Sequence, residues 1–145
     1  MTRRPAARTM PRPSQAEYEA LSEFRYLIRC FLEFSQDAAR KAGLAPAQHQ
    51  ALLAIRGFPA GHAVSVGELA ERLRIRHHSA VELVDRLFTA GLVTRASDEQ
   101  DHRRVLVRLT ALAEDHLAAL SSAHLDELSR LEPSLKKILA IKKRK

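Results

Sequence analysis

Hydrophobic residues recur every three or four positions along the first third of the chain, which is the spacing of one face of a helix. The stretch begins at Ser14 and Glu17, whose spacing fits a capping box, and it ends at Gly43. The pattern therefore predicts a helix over about 15–42, with a length of roughly 42 Å. This helix holds five of the seven aromatic residues. A helix so long and apolar favours packing against another chain, with a long core helix inside one chain as the alternative.

A second long helical pattern fills the last quarter of the chain. Thr110 is placed to be its N-cap, and leucines recur at helical spacing after it. Pro133 predicts an interruption, since the interior of a helix tolerates proline poorly. We therefore expect a long helix from about residue 111 and a short final helix over about 133–141.

Shorter helical patterns lie between the two long ones. Pro46 suits the first turn of a helix that ends at Gly57. Ser65 begins another capping box and opens a helix over about 66–73, and after a brief break a further helix runs over about 76–90. The apolar side chains expected to hold the last two helices together are Leu69, Ala70, Leu73, Ile75, Val84 and Leu87.

Two runs with the period of a strand follow these helices. The run Leu92–Arg95 predicts one strand, and the alternation over Val105–Leu109 predicts a second, so that together they form a hairpin. Two short helices joined by a tight turn and followed by a hairpin are the plan of a winged helix-turn-helix. The predicted fold is mainly α with a small β-hairpin, comprising a winged helix-turn-helix over about 46–110 and flanking helices over about 15–42 and 111–141.

Length and composition limit the class of protein. With 145 residues, of which 46% are hydrophobic and 28% charged, one folded domain is expected. No apolar run reaches the ~18 residues of a membrane helix, and the single cysteine, Cys30, excludes an internal disulfide framework. A cytoplasmic protein without a membrane partner fits these observations best.

The net charge of +7 comes from the two ends of the chain. Residues 1–13 hold four arginines, residues 136–145 hold six lysines and arginines, and neither segment contains an acid. Without these ten cations, residues 14–135 carry a net charge of −3. We expect a disordered basic arm over 1–13, one domain over 14–141 and a basic tail over 142–145. The two basic ends either add affinity for phosphate or are simply solvated.

The predicted hairpin carries the most specific resemblance to a known family. Asp101, Arg103, Val107, Leu109 and Thr110 match every fixed position of the pattern Asp, any, Arg, three more, Val, any, Leu, Thr. Three further runs agree with it, namely Ser65–Leu73, Val84–Leu87 and Ala90–Val93. The chain thereby resembles the MarR (multiple antibiotic resistance regulator) family of bacterial transcription regulators, in the order of its elements over about residues 15–140. The resemblance implies a homodimer assembled from the first and last helices, which represses transcription by binding double-stranded DNA at a palindromic operator.

The same resemblance assigns DNA contacts residue by residue. The residues it implies are Arg76, His77, His78 and Ser79 at the start of the recognition helix, together with Arg86, Arg95, Arg103 and Arg104. Arg103 matches the wing arginine that enters the minor groove, where an arginine reads shape more than sequence. Asp101 and Asp98 are expected to position that arginine. Arg86 and Arg95 are equally compatible with ordinary surface charges or with partners inside the chain.

Members of this family often bind small aromatic or phenolic acids between the dimer helices and the winged lobe, so the resemblance implies such a ligand as a further partner. The candidate residues are Phe24, Arg25, Arg29, Phe34, His49 and Arg56. An arginine that faces an apolar cleft could fix a carboxylate. The pattern favours the alternative, in which the aromatic side chains form the dimer core and the arginines extend along it towards water.

Three other functions remain open. Cys30 could be a redox-sensing thiol, although a buried, inert thiol is the default. An architectural DNA-binding protein would bind with little sequence preference, and a protein–protein adaptor would show no salt-dependent binding to DNA. The sequence has no nucleophile elbow, no Gly-rich phosphate loop and no cluster at metal-ligand spacing, so we expect neither an enzyme nor a metal or other cofactor.

Overall fold

The computed structural model describes residues 10–59 and 62–141. In chain order its elements are α1 (Gln15–Lys41), α2 (Pro46–Arg56), β1 (Val64–Ser65), α3 (Val66–Leu73), α4 (His77–Thr89), β2 (Val93–Ser97), β3 (Val105–Leu109) and α5 (Ala111–Leu139). The fold is mainly α with a small antiparallel sheet, and this prediction is confirmed. Most of the predicted arm, residues 1–9, and the whole predicted tail, residues 142–145, lie outside the described residues.

Local capping explains where several helices begin and end. Ser14 and Ser65 each accept a hydrogen bond from the backbone three residues on, and the glutamate at that position accepts one in return, so both predicted capping boxes are confirmed. The Thr110 side chain caps α5 by accepting from the Ala113 N–H at 3.3 Å. Gly91 follows α4 with a φ of +72°, a left-handed conformation that glycine adopts at no steric cost.

A strand that the sequence pattern did not predict completes the sheet. β1 pairs antiparallel with β3, with Val64 opposite Val107, and β3 pairs antiparallel with β2, with Val93 opposite Leu109. The strand order is therefore β1-β3-β2, and the predicted hairpin of β2 and β3 is confirmed. A strand of two residues is too short to show a period, which explains why the pattern missed β1.

Most of the buried apolar side chains belong to the winged lobe, which comprises α2, α3, α4, the sheet and the first turns of α5. Its largest fully buried residues are Leu52, Leu69, Val84, Leu87, Val93 and Val107. Ala70 is also buried, which allows α3 and α4 to approach each other closely. The core of the lobe thus holds α3, α4 and the sheet in one fixed arrangement.

The turn between α3 and α4 differs from the prediction at one position. Arg74 ends α3 in a left-handed conformation with φ 55°, and its backbone N–H still bonds to Glu71 and Ala70. Leu73 is half-buried against the core. Ile75, which was expected to help hold the two helices together, lies in this turn and is 37% exposed, so it adds less to the core than Leu73 does.

The prediction of a break at Pro133 is also wrong, because α5 runs unbroken from Ala111 to Leu139. Proline removes the hydrogen bond to the carbonyl four residues earlier, which belongs to Ser129. Ser129 and Pro133 are both exposed, so water can hydrate the freed carbonyl. The ion pair between Lys136 and Glu132, at 2.7 Å, spans the same turn and supports the helix.

The long helices α1 and α5 pack against each other and bury few side chains. In α1, Leu27 and Ala39 are buried. Large apolar side chains on the two helices are exposed, including Tyr18, Leu21, Phe24, Ile28 and Leu32 on α1 and Leu125, Leu128 and Leu139 on α5. Much of the apolar surface of these helices is therefore uncovered within the single chain.

Candidate nucleic-acid interface

The capping box of α3 fixes the start of the helix-turn-helix. Ser65 Oγ accepts a hydrogen bond from the Glu68 N–H at 3.1 Å, and Glu68 Oε1 accepts one from the Ser65 N–H at 3.2 Å. The hydrogen bonds with Ser65, and then the Arg104 guanidinium, hold the pKa of Glu68 below its usual range. The Glu68 carboxylate is therefore ionised at neutral pH and can serve as a partner for a cation.

The first turn of α4 presents cationic and polar side chains away from the core. Arg76 is the N-cap residue in extended conformation, and Arg76, His77 and His78 are exposed while Ser79 is half-buried. The buried residues of α4 are Ala80, Leu83, Val84 and Leu87. The four predicted residues thus share the start of one helix, where the helix dipole favours an anion such as phosphate.

Arg86 is not brought together with those four residues. It lies in the last turn of α4 and is exposed. At 1.5 Å per residue it is roughly 15 Å along the helix from Arg76. Its contact with DNA stays a prediction that is separate from the N-terminal group.

The wing places one arginine far out into solvent. Arg103 lies in the turn between β2 and β3, and its side chain is 93% exposed. Asp101 Oδ1 accepts hydrogen bonds from the Arg103 backbone N–H at 3.1 Å and from its Nε at 3.3 Å. Asp101 is therefore placed to orient Arg103, and most of the Arg103 side chain stays exposed to solvent.

The structure places Asp98 differently from the sequence prediction. Its carboxylate accepts from the Gln100 N–H at 2.9 Å and lies 3.7 Å from Arg104 Nη1, so its arginine partner is Arg104 rather than Arg103. Arg104 Nη2 also donates to Glu68 Oε1 at 2.6 Å. The prediction that Asp98 positions Arg103 is therefore corrected, because the Asp98 carboxylate pairs with Arg104 instead.

Arg95 joins the wing to the recognition helix within the chain. Its Nη1 donates to Asp85 Oδ1 at 2.5 Å, and its guanidinium carbon stands 4.1 Å from the centre of the Phe88 ring. Both partners belong to α4, whereas Arg95 belongs to β2. The ion pair and the cation–π contact favour the intrachain alternative for Arg95 over a contact with phosphate.

A groove with a volume of about 290 Å³ separates the start of α3, α4 and the wing. Its lining includes His77, Arg95, Arg103 and Arg104, together with apolar surface from Val81 and Val105. Four of the eight predicted DNA-contacting residues therefore meet at one groove, although they come from two different elements, α4 and β2, and from the wing turn.

Comparisons with known proteins agree with this arrangement. A model of the MarR family matches residues 42–104. The uncharacterized HTH-type transcriptional regulator YcgE of Bacillus subtilis is 33% identical over 107 residues, which are 74% of this chain and 68% of YcgE. The chain belongs to the MarR family.

Solved structures share the fold of this MarR-family protein. A MarR family protein from Bacillus stearothermophilus superposes with a TM-score of 0.72 at 21% identity, over 83% of this chain and 82% of the other. MepR, a transcription regulator of the Staphylococcus aureus multidrug efflux pump MepA, gives a TM-score of 0.69 at 18% identity, over 85% and 96%. A MepR variant bound to an oligodeoxyribonucleotide gives 0.63 at 18% identity, also over 85% and 96%.

As a MarR-family protein, the chain is a DNA-binding transcription regulator and not an enzyme. Among the described residues, no group of three or more histidine, cysteine, aspartate or glutamate side chains could hold a metal ion. The helices in the same part of the chain include none with the length and apolar character needed to cross a membrane.

The Cys30 thiol lies on α1, outside the interface of α3, α4 and the wing. It is half-buried, and its hydrogen bond with Tyr26, one turn earlier, raises the pKa of that tyrosine. Redox sensing through Cys30 stays an open alternative to an inert thiol.

Sequence reasoning missed two of the acidic partners in this MarR-family interface, Glu68 and Asp85. Glu68 has a recognisable role in the capping box, but its contact with Arg104 spans 36 residues. Asp85 meets Arg95 across ten residues and two elements. Opposite charge is the only sequence signal for these pairs, and no spacing rule applies at such separations.

Proposed function

We propose that this chain acts in the cytoplasm as a homodimeric repressor that binds a palindromic operator in double-stranded DNA. The observation that carries the proposal is the pairing of an extended Arg103, held by Asp101, with the exposed start of α4 beside one groove. A recognition helix supplies contacts in the major groove, and a wing arginine supplies contacts in the neighbouring minor groove. Arg76, His77, His78 and Ser79 are the proposed contacts from the helix.

The uncovered apolar faces of α1 and α5 support the dimeric part of the proposal. Monomeric proteins rarely expose large contiguous apolar patches, and such patches commonly mark interfaces. In the proposed dimer, the two long helices of each subunit cover those of the other. The two recognition helices would then have to lie about 34 Å apart, one turn of DNA, to engage both halves of an operator.

The test is a titration of the full chain against the DNA upstream of its own gene, with scrambled DNA as the comparison, at several salt concentrations. We expect preference for the upstream fragment, and an affinity that falls with salt as several phosphate contacts require. Equal, strongly salt-dependent binding to both fragments would favour the architectural alternative. No binding at low salt would favour the adaptor.

Repression is tested separately from binding. The bound fragment is placed before a reporter gene, and the chain is expressed in the same cells. We expect transcription of the reporter to fall, because an occupied operator excludes the transcription machinery. A rise in transcription would contradict repression while leaving operator binding intact.

The wing is tested by Arg103→Ala. Loss of a minor-groove arginine should weaken operator binding by roughly 1–3 kcal/mol. Arg40→Ala is the matched control, since Arg40 is an exposed arginine at the end of α1 whose partner is Asp37 at 3.6 Å. Unchanged affinity in the Arg103 variant, or an equal loss in the control, would remove the wing from the proposed interface.

We further propose that a small aromatic acid releases the repressor from DNA. Of the candidate residues, Phe34 and His49 both contact the His124 ring, with ring centroids 5.3 and 4.8 Å from it. Arg56 pairs with Glu114 at 3.2 Å, so a carboxylate ligand would compete with Glu114 there. Titration with benzoate and its hydroxylated derivatives should lower operator affinity. If both affinity and the spacing of the lobes stay unchanged, this part of the proposal fails.

A further inference from the structure

Arg104 stands in a cluster of charges that belongs to the protein itself. Its guanidinium lies 2.6 Å from Glu68 Oε1 and 3.7 Å from Asp98 Oδ2. One cation therefore faces two carboxylates, and the three groups together carry a net charge of −1. A DNA phosphate that approached Arg104 would meet this net negative charge, which disfavours its binding there.

The topology of the sheet explains why these residues meet. Ser65 pairs with Leu106 across β1 and β3, which brings the start of α3 next to the segment that leads into β3. Glu68 is three residues after Ser65 and bonds back to it, while Arg104 is two residues before Leu106. The same Glu68 oxygen accepts from the Ser65 N–H and from Arg104, so it links the helix cap directly to the wing.

The wing turn is closed by backbone bonds at the same residue. The Asp98 N–H donates to the Arg104 carbonyl at 3.0 Å, and the Arg104 N–H donates to the Asp101 carbonyl at 2.9 Å. Holding Arg104 therefore holds the turn that carries Asp101 and Arg103. The side-chain exposures of the two arginines agree with this, because Arg104 is half as exposed as Arg103.

We propose that Arg104 and Glu68 form a wing anchor, in which Arg104 is a positioning residue that sets the orientation of Arg103 and does not bind DNA phosphate. This inference rests on the proposed operator binding. It replaces the contact with phosphate that the sequence predicted for Arg104.

The variant Glu68→Gln distinguishes the two roles by the sign of its effect. Glutamine also fits the third helical position of a capping box, so the cap of α3 is kept while the charge that holds Arg104 is lost. If Arg104 is an anchor, operator affinity falls. If Arg104 binds phosphate, affinity rises, because the variant frees the arginine and removes a negative charge from the interface.

Glu71→Gln is the matched control. Glu71 is on the same helix and pairs with an arginine, Arg74, at 2.7 Å, but this pair belongs to the turn after α3 and not to the wing. The control removes the same charge from α3 and should leave affinity unchanged or slightly higher. A loss seen in Glu68→Gln and not in Glu71→Gln is therefore specific to the anchor.

The experiment measures operator affinity of the full chain against salt for Glu68→Gln, Arg104→Met and the double variant. We expect each single variant to weaken binding roughly fivefold, which is about 1 kcal/mol, with no further loss in the double variant. The slope of affinity against salt should not change. A slope lower by about one in Arg104→Met, with tighter or unchanged binding in Glu68→Gln, would overturn the proposal.

Amide hydrogen exchange of the free protein separates this inference from the proposed function. The Asp98 and Arg104 amides should exchange faster in both single variants than in the wild type and in Glu71→Gln, because the turn they close is loosened. If the wild type binds no DNA but these amides respond, operator binding has failed and the anchor has not. Unchanged exchange at both amides would overturn the anchor whatever the DNA result.

Discussion

Large apolar side chains are buried in the winged lobe, but many of them are exposed on the pair of long helices. Leu69 of α3 is 0% exposed, whereas Leu21 of α1 is 61% exposed. The lobe surrounds its leucines and valines with three helices and a sheet from the same chain. The long helices contact each other and α2, but these contacts leave many of their apolar residues uncovered. The lobe therefore closes its core within one chain, and in the proposed dimer the uncovered faces of the long helices are covered by the partner.

The functional side chains follow the same division. The wing and the recognition helix are held by contacts inside the lobe, namely the Glu68–Arg104 and Asp85–Arg95 pairs. How far apart two such lobes stand depends instead on the helices that the chain leaves uncovered. Recognition of one half-site is therefore a property of the lobe, and the spacing of two half-sites is a property of the proposed dimer.

The largest effect we expect from this division is on stability. Leu69→Ala leaves a cavity in a closed core and should lower the free energy of unfolding by about 2–5 kcal/mol. Leu21→Ala removes an exposed side chain and should cost no more than about 0.5 kcal/mol when the protein is dilute. Denaturant unfolding at several protein concentrations measures both values.

The dependence on concentration sharpens this prediction. The loss in Leu69→Ala should be the same at every concentration, because the cavity lies within one chain. The loss in Leu21→Ala should grow as the protein is concentrated, because a partner that binds the folded chain adds to its stability. Equal and concentration-independent losses in both variants would contradict the comparison.

The second effect concerns self-association. Leu21→Glu places a charge on the uncovered face of α1, so the particle mass measured by sedimentation should fall to that of one chain. Operator affinity should then fall by roughly 100-fold or more, since the second half-site is no longer bound by a linked subunit. Leu53→Glu is the control, because Leu53 is an exposed leucine of α2 in the lobe. Loss of mass in the control, or an unchanged mass in Leu21→Glu, would place the dimer contact elsewhere.

The sequence predicted those parts of the fold whose signals are local. Capping boxes at Ser14 and Ser65 and the cap at Thr110 marked the starts of three helices, and Gly43 and Gly57 marked the ends of two. Each of these features depends on residues within about one helical turn, so the sequence contains the whole of the signal.

Features that depend on distant residues were missed or misjudged. β1 forms because Val64 pairs with Val107, which is far away in the sequence, and a strand of two residues shows no pattern from which it could be predicted. Pro133 was expected to break α5, but the carbonyl it leaves without a partner belongs to the exposed Ser129, so water can hydrate it and the helix continues to Leu139. The site shows the same limit, since the contact between Asp101 and Arg103 spans two residues and was predicted, whereas the partners of Arg95 and Arg104 were not.

The smallest effect we expect arises where the lobe meets the long helices. His49 of α2 is 3% exposed and stacks against His124 of α5. The His124 ring is also hydrogen-bonded to the Leu120 carbonyl at 2.6 Å and to the Ser35 hydroxyl at 2.8 Å, and it contacts the rings of Phe31 and Phe34. Burial lowers the pKa of His49, and the neighbouring His124 lowers it further, so His49 is buried in its neutral form.

A lowered pKa makes the folded state less able than the unfolded state to accept a proton. The contribution of His49 to stability is therefore complete above the ordinary histidine pKa of about 6.5 and is lost progressively as the pH falls below it. Between pH 7.5 and 5.5, the free energy of unfolding should fall less steeply in His49→Leu than in the wild type. His78→Gln is the control, because it removes an exposed histidine from a different helix, α4. Identical pH profiles for His49→Leu and the wild type would mean that protonation of His49 does not contribute to the pH dependence of the free energy of unfolding.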